Sequence, residues 1–161
     1  MYQIKYEGKK TFMKSKIETL PTYRVAYLRR VGPYGSANYE VMEKLKAWAK
    51  EKKLLDSATI FAIPQDNPET TLPENCRFDA CIVVSEEFQL DDTIMENELP
   101  GGRYLVYKVE HTAEEIQKAY KEVFSSLQSN GYQFDNKPIM ERYVGDMTSN
   151  PDCEICVPLK Q

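Results

Sequence analysis

The sequence predicts an α+β fold built from two similar strand-helix-strand-strand units related by a pseudo-twofold axis, with a mainly antiparallel sheet carrying two main helices on one face. Three observations predict it. Both halves of the chain read in one order: strand, turn, amphipathic helix, strand, loop, strand. The apolar runs between the helices are short and bounded by turn residues, as strands are. Each helix has a single apolar stripe to bury, and laying both across one sheet face is the simplest way to bury them.

In the first half, Tyr23-Arg24-Val25-Ala26-Tyr27-Leu28-Arg29-Arg30 is rich in strand formers and stops at the turn signal Gly32-Pro33-Tyr34-Gly35. Ser36 is a candidate N-cap for the helix that follows, where Val41, Met42, Leu45, Trp48 and Ala49 recur at helical spacing. Thr59-Ile60-Phe61-Ala62-Ile63 and Phe78-Asp79-Ala80-Cys81-Ile82-Val83-Val84 read as strands, separated by a polar loop from Gln65 to Asn75. In the second half, Gly101-Gly102 opens the strand Arg103-Tyr104-Leu105-Val106-Tyr107-Lys108-Val109. Thr112 with Glu115 forms a capping box for a helix that buries Ile116, Ala119, Tyr120, Val123 and Leu127 and stops at Asn130-Gly131. Ile139-Met140-Glu141-Arg142-Tyr143-Val144 then takes the place of the Phe61 strand, Asp146 that of Asp66, and Cys153-Glu154-Ile155-Cys156-Val157 that of the Phe78 strand.

At 161 residues the chain fits one domain, divided as a leader over 1–15 and a domain over 16–160, with repeats over about 16–90 and 99–160. Its 42% hydrophobic and 29% charged residues describe a folded globule. The net charge of −4 argues against a direct reader of nucleic acid, which draws its affinity from clustered Lys and Arg. Lys5, Lys9, Lys10, Lys14 and Lys16 make the leader basic and are expected on a solvated, weakly structured arm. No apolar stretch is long enough for a membrane helix, and Met1 to Met13 lacks the apolar centre of a signal peptide, so a cytoplasmic protein is expected. Cys76, Cys81, Cys153 and Cys156 sit in strand-like segments without the turns that let thiolates converge on zinc, and are expected as buried reduced thiols with no metal.

Glu141 interrupts an apolar pattern, because strand alternation puts it on one face with Ile139 and Tyr143. Facing solvent it is an ordinary surface carboxylate. Facing inward it must be paired, or protonated through a raised pKa, and is then ready for a cation or for acid-base work. The pseudo-repeat sets it opposite Phe61, a residue that prefers burial, which favours the inward reading. With eleven tyrosines and six phenylalanines, an aromatic-walled pocket containing one acid is chemically plausible, and the seam between the halves is its natural place. His111 is the only histidine and is expected as a surface turn residue rather than a general base. No nucleophile-elbow motif and no phosphate-cradling glycine loop occurs, so no cofactor is expected.

Several motifs in order carry a resemblance: Val31-Gly32-Pro33-Tyr34, Leu45-Lys46-Ala47-Trp48, Asp66-Asn67-Pro68-Glu69-Thr70-Thr71, Arg77-Phe78-Asp79-Ala80-Cys81, Pro100-Gly101-Gly102-Arg103-Tyr104, Pro138-Ile139-Met140-Glu141-Arg142-Tyr143 and Val157-Pro158-Leu159. Over roughly residues 16 to 160 the chain resembles the GyrI-like family of effector-binding domains, including those of AraC-type regulators. The resemblance implies a duplicated SHS2-type unit with a ligand cleft between the halves. In multidrug-responsive relatives an acid on the strand matching Glu141 lies at the floor of an aromatic pocket that accepts lipophilic cations. Glu141 matches by motif; Tyr104, Phe61 and Phe78 on the strands and Met42 and Ile116 on the helices are the implied walls, and Tyr143 joins by alternation. The expected function is binding of small lipophilic molecules, cations among them, for sensing, sequestration or toxin protection. Two alternatives remain open: hydrolysis of cyclopropane-bearing alkylating compounds with Glu141 as the catalytic acid, and interaction with DNA gyrase or a separate transcription regulator. No helix-turn-helix segment precedes residue 16, which argues against a transcription-factor role for the chain by itself.

Overall fold

The computed structural model describes residues 3–6, 12–144 and 152–160. Among them are strands β1 (Gln3–Tyr6), β2 (Phe12–Leu20), β3 (Tyr23–Val31), β4 (Thr59–Pro64), β5 (Arg77–Val83), β6 (Met95–Leu99), β7 (Gly102–Glu110), β8 (Met140–Val144) and β9 (Asp152–Pro158), with helices α1 (Ala37–Glu51) and α2 (Ala113–Ser129) and a single 3-10 turn at Pro73–Asn75. The strands form one sheet in the order β1-β2-β7-β9-β8-β4-β5-β3-β6, and every pairing is antiparallel. The α+β class, the duplicated unit and the two helices on one face are as the sequence predicts. Asp146, read as the counterpart of Asp66, lies outside the described residues.

The pseudo-twofold passes between β8 and β4, which separate β7-β9-β8 from β4-β5-β3. Each unit has one strand more than the sequence reading gives it, and those extra strands are exchanged. β2 leads the first unit yet pairs with β7 of the second, while β6 leads the second and pairs with β3 of the first. The links Pro21-Thr22 and Pro100-Gly101 are two residues long and span at most about 11 Å. They join strands far apart in the sheet order, so the sheet curls until its ends approach. The links also pack on each other: the Gly101 N–H donates to Thr22 Oγ1 at 3.1 Å, and a Cβ at Gly101 would sit 2.6 Å from the Leu20 carbonyl oxygen.

One expectation is corrected here. The basic leader is not wholly an arm, because Gln3–Tyr6 and Phe12–Leu20 are paired strands. The acidic run from Glu86 to Glu98 ends in β6, where Glu96 accepts from Arg24 Nε at 2.7 Å. β2 and β6 escape notice for one physical reason. Among their residues with described burial only isolated ones such as Ser15, Leu20 and Leu99 are buried, so the two strands carry little of the apolar alternation that announces a strand.

The helices behave as their stripes dictate. Val41, Leu45 and Ala49 of α1 and Ala119, Val123 and Leu127 of α2 are buried against one sheet face, together with Ile60, Ala62, Phe78, Ile82, Leu105, Tyr107, Tyr143, Ile155 and Val157. Thr112 Oγ1 accepts the Glu115 N–H at 3.1 Å and so caps α2, whose end is turned by Gly131 at φ 76. Ser36 occupies the α1 N-cap position but makes no capping side-chain hydrogen bond. The opposite sheet face buries a second cluster: Leu20, Val25, Phe61, Ile63, Cys81, Leu99, Tyr104, Val106, Met140 and Cys156. All four thiols are free and buried.

Candidate functional site

Glu141 stands on β8 with Ala62 of β4 at its side and Ile155 of β9 on the other. Alternation along β8 sends Met140 and Arg142 to the second cluster's face and Glu141 and Tyr143 to the helix face. The Tyr143 hydroxyl donates to Glu141 Oε1 at 2.7 Å, and Tyr120, reaching from α2, donates to Oε2 at 3.0 Å. Cys153 of β9 brings its thiol against the Tyr143 hydroxyl. The His111 ring, at the turn into α2, packs on Tyr143 with centroids 4.8 Å apart and planes inclined by 57°.

Glu141 is ringed by buried neighbours while keeping part of its own surface open. Burial pushes its carboxyl above the usual carboxylate range; the Tyr143 and Tyr120 donors and the influence of His111 pull it only part of the way back. Burial first, and then the adjacent carboxylate, push both phenols up, so they remain O–H donors. Among the described residues no lysine or arginine acts on Glu141. The neighbouring Arg142 is committed on the other face, where it donates to Glu18 at 2.9 and 3.1 Å and to Glu154 at 2.9 Å. The result is a desolvated acid with both oxygens positioned by hydroxyls and with no lysine or arginine as countercharge, only the nearby His111 ring. Such a group can take a cation or move a proton.

The sequence-derived candidates divide between the two faces. Glu141, Tyr143, Phe78, Met42 and Ile116 belong to the helix face, the last two only partly buried. Tyr104 and Phe61 lie on the opposite face, where Phe61 meets the Tyr23 ring and the Tyr104 hydroxyl donates to the Pro100 carbonyl at 3.0 Å. The structure therefore does not bring Tyr104 and Phe61 together with Glu141. The matching of Glu141 to Phe61 is also corrected. With the two Leu-Pro links aligned, the strand registers equate Phe61 with Met140 and Ala62 with Glu141, one residue away from the sequence alignment. Glu141 does face inward, but its counterpart is an alanine.

Tyr120, His111 and Cys153 belong to this cluster, and the sequence reading gives them other roles. Tyr120 reads as one more member of a helical stripe; the available signal is that a buried phenol needs a hydrogen-bond partner and an inward acid can supply one. His111 does sit in a turn, yet its ring is packed rather than free.

Other motifs singled out in the sequence are scaffold. The Tyr34 hydroxyl donates to the Arg77 carbonyl at 2.6 Å and accepts the Asp66 N–H at 3.1 Å, while Asp66 holds the Arg77 guanidinium at 2.8 and 2.9 Å. That pairing keeps the Asp66 carboxyl below its ordinary range, and the Tyr34 hydroxyl ties the loop between β4 and β5 to the turn after β3. Asp79, 2% exposed, is gripped by both ends of the Arg29 guanidinium at 2.7 and 2.8 Å and by Gln65 at 3.0 Å.

The chain is 39% identical over 149 residues, 92% of its length, to the whole of the SPbeta prophage-derived protein YosT of Bacillus subtilis, which is named as a candidate transcriptional regulator. It is 28% identical over 140 residues to DNA gyrase inhibitor 2 of Dickeya dadantii, covering 85% of this chain and 88% of that one. Among solved structures the EcmrR C-terminal domain superposes with a TM-score of 0.71 at 16% identity, covering 92% of this chain and 98% of that domain. In the EcmrR-DNA complex the same likeness spans 58% of the EcmrR chain, at a TM-score of 0.73 and 15% identity. SAV2435 bound to tetraphenylphosphonium has the same fold, with a TM-score of 0.56 at 16% identity, covering 91% and 93% of the two chains. The profile of the GyrI-like small molecule binding domain matches residues 13–160, and with the curled duplicated sheet and the near full-length relative it shows that the chain belongs to the GyrI-like family.

Proposed function

We propose that the chain binds small lipophilic molecules, cations in particular, at the Glu141 cluster, and acts as a sensor or sequestering protein. The observation that carries this reading is a desolvated carboxylate, on a partly exposed residue, whose oxygens are both held by tyrosine hydroxyls and on which no lysine or arginine acts among the described residues, His111 being the one basic side chain that does. A protein that buries an acid without a full countercharge destabilises its own ionised state, and a cation supplied from outside relieves that penalty. The solved neighbour holding tetraphenylphosphonium supports the class of ligand, although its likeness to this chain is one of fold.

Thermal-shift and calorimetric titration against lipophilic cations and size-matched neutral aromatics, with wild type beside Glu141→Gln, tests the reading. The expected result is stabilisation by cations that weakens when Glu141 loses its charge, with no product on analysis of the mixture. Binding that ignores both ligand charge and Glu141 would refute it, and product formation would make the acid catalytic.

The relatives named DNA gyrase inhibitor support a second reading, in which the chain contacts gyrase. A supercoiling assay with added protein distinguishes it, since inhibition by Glu141→Gln equal to that by wild type would place that activity outside the cluster.

A further inference from the structure

Glu141 takes one tyrosine O–H on each oxygen. A phenol has a single hydrogen to donate, and here each of the two is committed. What Tyr120, Glu141 and Tyr143 together offer to an incoming group is therefore lone pairs: those left on Oε1 and Oε2, and that of the Tyr120 oxygen. The Tyr143 oxygen is already in contact with the Cys153 thiol, and the other titratable neighbour, His111, meets the Tyr143 ring and acts on Glu141 through its charge without a hydrogen bond to it.

The other half of the domain supplies the opposite chemistry. Aligning the buried stripe Val41, Leu45, Ala49 of α1 with Ala119, Val123, Leu127 of α2 makes Met42 the counterpart of Tyr120. The strand registers make Ala62 and Pro64 the counterparts of Glu141 and Tyr143. The acceptor triad of one half thus answers to three side chains in the other that carry no hydrogen-bond donor, and Ala62 lies directly beside Glu141 across the β4–β8 pairing.

The geometry points to a protic ammonium ligand, one whose cationic head carries N–H groups and whose body is apolar, bound in preference to a quaternary cation of the same body. The inference rests on the cation-binding reading above and narrows it. A quaternary head gains the Coulomb attraction of Glu141 but fills none of its lone pairs, while it still strips them of water. An ammonium N–H makes charge-assisted hydrogen bonds to those oxygens, which are stronger than neutral ones. It loses more hydration on entry, and acceptors already positioned by Tyr120 and Tyr143 are what offset that loss.

The test is calorimetric titration of the full chain with phenylbutylammonium, its trimethylammonium analogue and phenylbutanol, at a mildly alkaline pH where the alkylammonium keeps its charge. The primary ammonium is expected to bind about tenfold or more tightly than the trimethyl compound, the worth of one hydrogen bond to a charged group. Glu141→Gln is expected to erase that preference. Glu141→Asp, which keeps the acceptors but withdraws them by one methylene, is expected to reduce it and serves if the Gln variant fails to fold. Equal or tighter binding of the trimethyl compound overturns the inference and leaves the cation-binding reading standing. Binding of neither cation overturns both.

Discussion

Replacing Tyr143 by Phe removes the shorter of the two hydroxyl donors to Glu141, at 2.7 Å, and leaves a ring of the same shape against His111 and the core. A hydrogen bond to a charged group contributes about 1.5–3 kcal/mol, and one between neutral groups about 0.5–1.5 kcal/mol. The substitution should therefore destabilise by about 2 kcal/mol where Glu141 is ionised and about 1 kcal/mol where it is protonated. Burial raises the folded pKa of Glu141 above its unfolded value, so the stability linked to its proton is fully present below the unfolded carboxyl range and is lost as pH rises through the folded value. Tyr143 pulls that folded value down, so Tyr143→Phe raises it further and extends the loss to higher pH. The variant should lie closest to wild type in acid and furthest from it at neutral and alkaline pH. Urea denaturation across that range, repeated in a Glu141→Gln background, closes a double-mutant cycle that isolates the coupling. A destabilisation independent of pH, or one equally large when Glu141 is already Gln, would refute the claim that this phenol acts on the carboxylate.

Two further perturbations probe the frame that holds the cluster. Gly101→Ala drives a methyl group to within 2.6 Å of the Leu20 carbonyl oxygen and 2.7 Å of the Pro21 carbonyl carbon, so a loss of about 1–3 kcal/mol is expected in chemical denaturation; unchanged stability would mean that the crossing links are not in contact. Burial pushes the Cys153 and Cys156 thiols up to about 12, and Cys76 and Cys81 are likewise buried, so a disulfide reagent at neutral pH should label none of them in the native protein and all four after unfolding. Rapid native labelling of any of them would show that its sheet face opens.

Most of the duplicated core is legible in the sequence because the inner strands and both helices bury apolar side chains at a regular period. Val41, Leu45 and Ala49, or Ala119, Val123 and Leu127, announce both the helix and its buried face. The exchanged strands β2 and β6 are obscure because their pairing is decided by topology, and each buries too few residues to show a period. A faint signal exists in the recurrence of Leu20-Pro21 and Leu99-Pro100 just ahead of β3 and β7, where the proline ends one strand and a short link turns the chain into the next. At the site, alternation along β8 correctly joins Tyr143 to Glu141. Tyr104 and Phe61 are misplaced because aromatic character says that a residue is buried and nothing about which sheet face buries it. Tyr120 is legible as core, but its polar function depends on a strand more than a dozen residues away and is visible only when both are in place.

The departure from symmetry at Glu141 follows from the electrostatics of its position. Ala62 is both its twofold counterpart and its direct cross-strand neighbour, so an acid at both places would set two carboxylates side by side on one desolvated face. Like charges at that separation do not both ionise, and one of the two would keep its proton. A strictly duplicated pair would then present one effective charge at the expense of the small, apolar side chain that Ala62 packs into the core. With alanine there, Glu141 has no like charge across the β4–β8 pairing and the adjoining half of that sheet face stays apolar. Duplication thus supplies the shared sheet face, and the loss of symmetry at one residue pair makes its two halves chemically different.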